Sequence, residues 1–224
     1  MIVRVSVPDL VFAELREAIL AGRYVPGERL PPQRVLAADL GVNMASVREA
    51  LKRLEQLRLV DVRHGDATRV LDWRLSGGLE ALSSLKSMDA DMIGGLFEAR
   101  RLLLTEAARL AAVRRTDEQA ATLEELAAAF AAAAGDEEAA LLADWAFMAA
   151  VIEASGNLVF QLIMNSVREL YLPNIREFAP MLGDGDQYAL AAGAVGARDA
   201  DTAAAAVASL AAVQEERMAR AGRS

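Results

Sequence analysis

Leu36-Ala-Ala-Asp-Leu-Gly-Val-Asn-Met-Ala-Ser-Val-Arg-Glu-Ala-Leu-Lys-Arg-Leu54 decides how the first third of this chain folds. Val35, Leu36 and Leu40 are apolar at helical spacing, which predicts a helix over Gln33–Leu40. Gly41 follows, and a tight turn between two helices needs a residue that accepts positive φ. Asn43 is a good N-cap for another helix over Met44–Leu57. On that helix Val47, Leu51 and Leu54 share one face, while Arg48 and Lys52, four apart, share another. Met44, Ala45 and Ser46 fall on its exposed first turn.

Upstream, Asp9 predicts an N-cap for a helix from about Leu10 that buries Val11, Leu15, Ala18 and Ile19 and stops at Gly22. Tyr24–Pro32 is then a turn-rich connection. Downstream, Leu59–Val62 and Thr68–Leu71 predict two short strands joined by Arg63–Ala67. Helix, helix, turn, helix and hairpin predict a winged helix-turn-helix over residues 1–75.

A recognition helix places its first turns at base edges in the major groove. Arg48, one turn in, has the reach for guanine O6/N7 or a phosphate, and Lys52 and Arg53 for phosphates. Arg34 opens the preceding helix, which crosses the backbone in this geometry. The same pattern also suits a solvated basic face on a small helical domain, so both readings stand at this level.

Composition divides the chain at the same place. Residues 1–75 carry a net charge of +2 and 8 alanines; residues 76–224 carry −10 and 39 alanines. The sequence pI of 4.9 argues against nucleic-acid binding over the whole surface, but not by the first unit alone. The 224 residues include no cysteine and one histidine, which excludes disulfides, thiol chemistry and any site needing two imidazoles. Mean hydropathy is +0.21, yet the apolar runs are Ala-rich and broken by Asp and Glu, so no membrane span is expected. The start, MIVRVSVPDL, has no apolar signal region, and a cytoplasmic setting is expected.

The second unit predicts seven helical segments, near 76–87, 89–114, 116–134, 137–155, 157–181, 184–197 and 199–221. Asp89, Thr116, Asn157 and Asp199 are the expected caps, and Gly135, Gly156 and Gly183 the expected stops. Short connections predict an all-α antiparallel helical bundle. Arg100 places a charge near the centre of a helix otherwise rich in Leu and Ala. It suits a cavity lining, a surface arginine, or a salt bridge to Asp144. Trp145, Met148, Tyr171 and Phe178 suit an apolar cavity wall, or simple core. No catalytic constellation is present. Glu124-Glu125, Asp136-Glu137-Glu138 and Glu215-Glu216 are sequence neighbours, which diverge on a helix, and Gly183-Asp-Gly-Asp186 lacks the rest of a calcium loop. The chain is not expected to be an enzyme.

Pro26-Gly-Glu-Arg-Leu-Pro31, Leu40-Gly-Val42 and Val47-Arg-Glu-Ala-Leu51, in this order and spacing, resemble the GntR family of bacterial transcription regulators over about residues 10–71. His64-Gly-Asp-Ala-Thr-Arg-Val70 and Ser76-Gly-Gly-Leu-Glu-Ala-Leu82 look more narrowly like its FadR subfamily. The resemblance implies a homodimer on a pseudo-palindromic double-stranded DNA operator. It carries DNA contact to Arg34, Ala45, Ser46, Arg48, His64 and Gly65, with His64 entering the minor groove. This chain departs from the pattern at Pro32-Gln33, at Met44 (commonly arginine) and at Asp66 (lysine in the fatty-acid regulator).

A weaker resemblance covers about residues 76–181 through Glu98-Ala-Arg-Arg101, Asp144-Trp-Ala-Phe-Met148, Ala154-Ser-Gly-Asn-Leu158 and Leu170-Tyr171. It implies a helical effector domain whose ligand changes the geometry of the paired heads. Arg100, Asp144, Met148, Tyr171 and Phe178 match ligand-side positions, pointing to a fatty acyl-CoA, a free fatty acid or another small carboxylate. Many relatives hold a metal with one Asp and three His. Here Asp144 stands at the Asp position, Met148 replaces the first His, and no His follows His64, so neither a metal nor another cofactor is expected. An interaction module with weakened DNA binding is the competing reading.

Overall fold

The computed structural model describes residues 6–62, 67–79, 90–183 and 185–221. The chain divides into two compact units, 1–87 and 88–224. The fold is mainly α: a winged helix-turn-helix head and an all-α bundle.

The head runs α1 (Val7–Leu20), α2 (Gln33–Asp39), α3 (Met44–Gln56), β1 (Val60–Asp61), β2 (Arg69–Val70) and a single-turn α4 (Trp73–Ser76). Helix α1 starts earlier than expected. Its cap is Ser6, whose hydroxyl accepts from the Asp9 N–H, while the Asp9 carboxylate accepts from the Ser6 N–H. This capping box tolerates Pro8, because a first-turn residue has no intrahelical partner for its N–H. Asn43 caps α3 as expected, accepting from the Ser46 N–H at 2.9 Å. Gly41 takes φ +65° in the α2–α3 turn. Leu15, Ile19, Leu36, Val47, Leu51 and Leu54 close the core beneath the three helices.

The strands pair antiparallel, with Val60 opposite Val70 and Asp61 opposite Arg69. The connection read as turns also lends an edge to this sheet. Arg29 bridges to Arg69, Leu30 N–H donates to Thr68 O, and Val70 N–H donates to Glu28 O. Gly27, at φ +85°, turns the chain into this pairing, and Pro31 and Pro32, which have no N–H, end it.

The second unit contains α5 (Ala90–Arg114), α6 (Asp117–Ala132), α7 (Glu137–Ala154), α8 (Leu158–Tyr171), a 3-10 segment (Leu172–Met181), α9 (Asp186–Gly196) and α10 (Ala200–Ala221). Thr116 and Asn157 cap as expected, and Asp199 accepts from the Thr202 N–H. The cap expected at Asp89 lies outside the described residues.

Of the helix expected near 76–87, residues 80–87 lie outside the described residues; at its start Asp72 caps α4, Gly77 ends it, and the Ser76 hydroxyl donates to Arg58 O. One expectation needs correction. The single helix expected over 157–181 breaks after Tyr171. Pro173 has no N–H to donate and its ring collides with the carbonyl four residues back. Asn174 then leaves helical geometry at φ −117°, ψ 21°, and its side-chain amide donates to Leu170 O at 2.7 Å. That break seats Phe178 and Met181 against the bundle as a tighter 3-10 turn.

Candidate nucleic-acid interface and effector site

The α2–turn–α3 unit presents a preformed helix with opposed faces. Val47, Leu51 and Leu54 are buried, while Ala45, Arg48 and Lys52 are exposed, and Arg34 is exposed at the start of α2. Arg34, Arg48 and Lys52 make no hydrogen bond or ion pair among the described residues. Their charges are therefore available to an outside anion.

Two neighbours behave differently from the expectation. Arg53, read as a phosphate contact, donates to Asp9 at 2.6 Å and stacks 4.1 Å over the Phe12 ring. It joins α3 to α1. The Ser6 hydroxyl, and after it the Arg53 guanidinium, hold the Asp9 carboxyl below its ordinary value. Ser46, expected to contact DNA, is 5% exposed and its hydroxyl donates to Asn43 Oδ1 at 3.2 Å. Its side chain is spent on the cap and faces away from solvent. His64, Gly65 and Asp66 lie outside the described residues.

In the bundle, four helices bring one polar residue each to a shared point. Asp144 of α7 is 1% exposed. Its Oδ1 accepts from the Tyr188 hydroxyl of α9 at 2.7 Å and from Gln214 Nε2 of α10 at 2.9 Å. Its Oδ2 faces Arg100 Nη2 of α5 at 3.4 Å, and Arg100 Nη1 donates to Gln214 Oε1 at 2.6 Å. The salt bridge and the central arginine are thus one feature. Burial, then the Asp144 charge, push the Tyr188 phenol far above its ordinary value, so it stays a donor.

Beside this cluster lies an aromatic ladder. Trp145 stacks on Tyr171 at 5.0 Å, Tyr171 meets Phe178 at 4.6 Å, and Phe178 meets Phe97 at 6.3 Å. Burial, followed by the Asp144 charge, raises the Tyr171 phenol as well. Met148 sits one turn below Asp144, fully buried in the main core with Phe147. The structure therefore joins Arg100 to Asp144 and Tyr171 to Phe178, and buries Met148 in the main core on the same face of α7 as Asp144. An open cleft of about 1010 Å³ lies between α6, α7 and the 3-10 segment, lined by Phe130, Glu137, Leu141, Arg176 and Leu182; it adjoins both features, since Phe130 stacks on Tyr188 at 3.9 Å and Leu141 O accepts from the Tyr171 hydroxyl.

Tyr188 and Gln214 belong to no motif that marks them in the sequence. The available signal was spacing. Gln214 is the polar member of the stripe Val207, Leu210, Ala211, Gln214, Met218, and Tyr188 leads the stripe Ala191, Ala192, Val195.

The donor set around Asp144 does not fit a transition metal. It comprises one carboxylate, a phenol, an amide and a guanidinium that already supplies the positive charge. Among the described residues, no three His, Cys, Asp or Glu gather at one point.

Residues 9–70 match the family described as "Bacterial regulatory proteins, gntR family", and residues 95–212 match the FCD domain. The regulator LutR of Bacillus subtilis is 31% identical over 156 residues, covering 70% of this chain and 71% of LutR. A fatty acid metabolism regulator protein of Edwardsiella ictaluri is 31% identical over 165 residues, covering 71% and 68%. The regulator Mce2R of Mycobacterium tuberculosis is 43% identical over 117 residues, covering 50% and 49%. Against Mce2R and similar mycobacterial regulators, the match spans about half of each relative's length. A solved chain of Lar, which controls expression of the Listeria monocytogenes agr system, superposes with a TM-score of 0.65 at 17% identity, covering 96% of this chain and 97% of Lar. That likeness bears on fold alone. Among the described residues, no helix is long and apolar enough to cross a membrane.

Proposed function

Because the chain belongs to the GntR family of bacterial regulatory proteins and carries an FCD domain, we propose that it binds a pseudo-palindromic operator as a homodimer, in the cytoplasm, and that a small effector in the bundle sets its DNA affinity. The carrying observation is the trio of exposed cations Arg34, Arg48 and Lys52, without an ion pair among the described residues, on a helix-turn-helix in which Arg53 is committed internally. Two heads are needed because one recognition helix reads only a few base pairs. Anisotropy titration against the DNA upstream of its own gene tests this. Binding at least about 10³-fold tighter than to scrambled DNA is expected for a specific regulator. Equal affinity for both DNAs would favour the interaction-module reading.

For the effector, we propose an acidic head group that engages Arg100 and an apolar body that meets the Trp145–Tyr171–Phe178 ladder. Relatives named fatty acid metabolism regulator proteins make fatty acyl-CoA and free fatty acids the first class to test. Arg100 is 20% exposed, so an incoming carboxylate reaches it without opening the core, in competition with Asp144 and Gln214. A long acyl chain must also part the aromatic ladder, which a smaller carboxylate need not do. The chain has two tryptophans, so a Trp73→Phe variant isolates Trp145 emission. Ligand addition is expected to shift that emission and lower DNA affinity about 5- to 150-fold. Arg100→Ala is expected to remove both responses. Acyl-CoAs and fatty acids that leave emission, melting and DNA affinity unchanged would transfer the proposal to another carboxylate. No transition metal is proposed, given the donor set around Asp144.

A further inference from the structure

The first turn of α3 turns few polar side-chain groups outward. Ser46 is buried, and its N–H and its hydroxyl both donate to Asn43 Oδ1, at 2.9 and 3.2 Å. An amide oxygen has two lone pairs, so these two donors occupy Asn43 Oδ1 and leave only the amide N–H groups for other partners. An asparagine reads adenine with its amide oxygen and nitrogen together, and that pairing is closed to Asn43. The outward side chains of the turn are then Met44, 43% exposed, and the methyl of Ala45. Met44 stands four residues before Arg48, on the same strip of the helix, and both are exposed.

We propose that Met44 is a specificity residue for thymine, its thioether packing on the C5-methyl group in the major groove close to the base that Arg48 contacts. The proposal rests on the operator-binding reading above and names what the first turn of the recognition helix reads. The chemistry of base edges selects thymine. Its methyl is the one alkyl group that base pairs present in the major groove. A thioether cannot donate to guanine O6 and N7, and it is a weak acceptor for the cytosine amino group. A G·C pair beneath Met44 therefore gives up its water without gaining a partner. Methionine is unbranched and has three rotatable bonds, so it settles on a methyl group without demanding one docking angle. Spacing places the thymine. Residues four apart on a helix are separated by about 6 Å along its axis, on the order of two base steps of 3.4 Å. One thymine per half-site is thus expected within about two base pairs of the Arg48 contact.

The test uses the full chain and a duplex from the DNA upstream of its own gene, with each thymine replaced in turn by deoxyuridine. That exchange removes the methyl and keeps every hydrogen-bonding group of the base. At the thymine under Met44, wild-type binding is expected to weaken about 4-fold, the equivalent of one buried methyl group. Replacement in both half-sites is expected to weaken it about 15-fold. Met44→Ala is expected to bind the thymine and deoxyuridine duplexes alike. Met44→Leu, which keeps an apolar end, is expected to retain a difference of at least about 2-fold. Lys52→Ala, placed on phosphate, should weaken both duplexes by one factor and so keep the wild-type ratio. Met44 is exposed at the start of its helix, so all these variants are expected to melt as wild type does. If no thymine methyl matters, or if the methyl effect survives in Met44→Ala, the proposal is overturned while operator binding stands. Wild-type protein that binds the upstream and scrambled duplexes equally overturns both.

Discussion

Asp144→Ala is expected to destabilise the helical unit by about 3 kcal/mol, the lower end of the range for breaking a buried ion pair. One carboxylate serves three partners on three other helices, so its removal strands all of them at once. The Tyr188 hydroxyl loses its acceptor, Gln214 loses one of two, and the Arg100 guanidinium loses its counter-charge. The estimate stays at the low end because Arg100 keeps a fifth of its side chain in water. The melting temperature of the helical unit should fall by about 10 °C, read by circular dichroism. Asp144→Asn is the informative companion. It keeps an acceptor for Tyr188 and Gln214 but removes the charge and puts an amide NH2 where Oδ2 faces Arg100, so a loss of about 1–2 kcal/mol is expected. Arg100→Met in that background should recover part of the loss, since no uncompensated charge then remains. A melting point for Asp144→Ala within 2–3 °C of wild type would mean that the cluster does not tie the four helices together.

The head was legible in the sequence almost throughout, because each of its signals is local. Asn43 as a cap, Gly41 as a turn and the Val47–Leu51–Leu54 stripe act over a few residues, and the structure has each in that role. A local signal misleads where it has a rival. Asp9 looked like the cap, but the hydroxyl of Ser6 three residues earlier took that place and made Asp9 the other half of the box. Arg53 shares the basic character of Arg48 and Lys52, but α1 brings Asp9 and Phe12 to it across 44 residues of sequence. In the bundle, helix existence was legible from caps and alanine content, and the break at Tyr171 should have been, since Pro173 stands in the middle of the predicted helix. The polar cluster was half legible. Arg100 and Asp144 were visible as charges on apolar helices. Gln214 and Tyr188 were not, because only the packing of α9 and α10 against α7 determines that a polar side chain on an Ala-rich stripe is buried and satisfied.

Arg48→Ala is expected to weaken binding to the true operator by about 1–3 kcal/mol, roughly 5- to 150-fold, with a much smaller loss on random DNA. Arg48 lies one turn into α3, exposed and without a partner among the described residues, where a guanidinium reaches the O6 and N7 acceptors of guanine. Lys52, a turn further along the same face, is placed for phosphate. Lys52→Ala should therefore weaken both DNAs alike and reduce the slope of log K against log salt by about 0.9. Arg34→Ala, on the helix that crosses the backbone, should behave as Lys52→Ala does. Arg53→Met supplies the contrast within the same helix. Its guanidinium is held by Asp9 and Phe12, so melting should suffer while the salt slope stays constant. Titrations of both DNAs across a salt series separate these cases. Arg48→Ala with equal losses on both DNAs and a slope reduced by about 0.9 would make Arg48 a phosphate contact and leave base reading to the first turn of α3 and the wing. No change on the operator would mean that α3 does not enter the groove, because no other charged side chain on its outer face stands so near its N-terminus without a negative charge of its own.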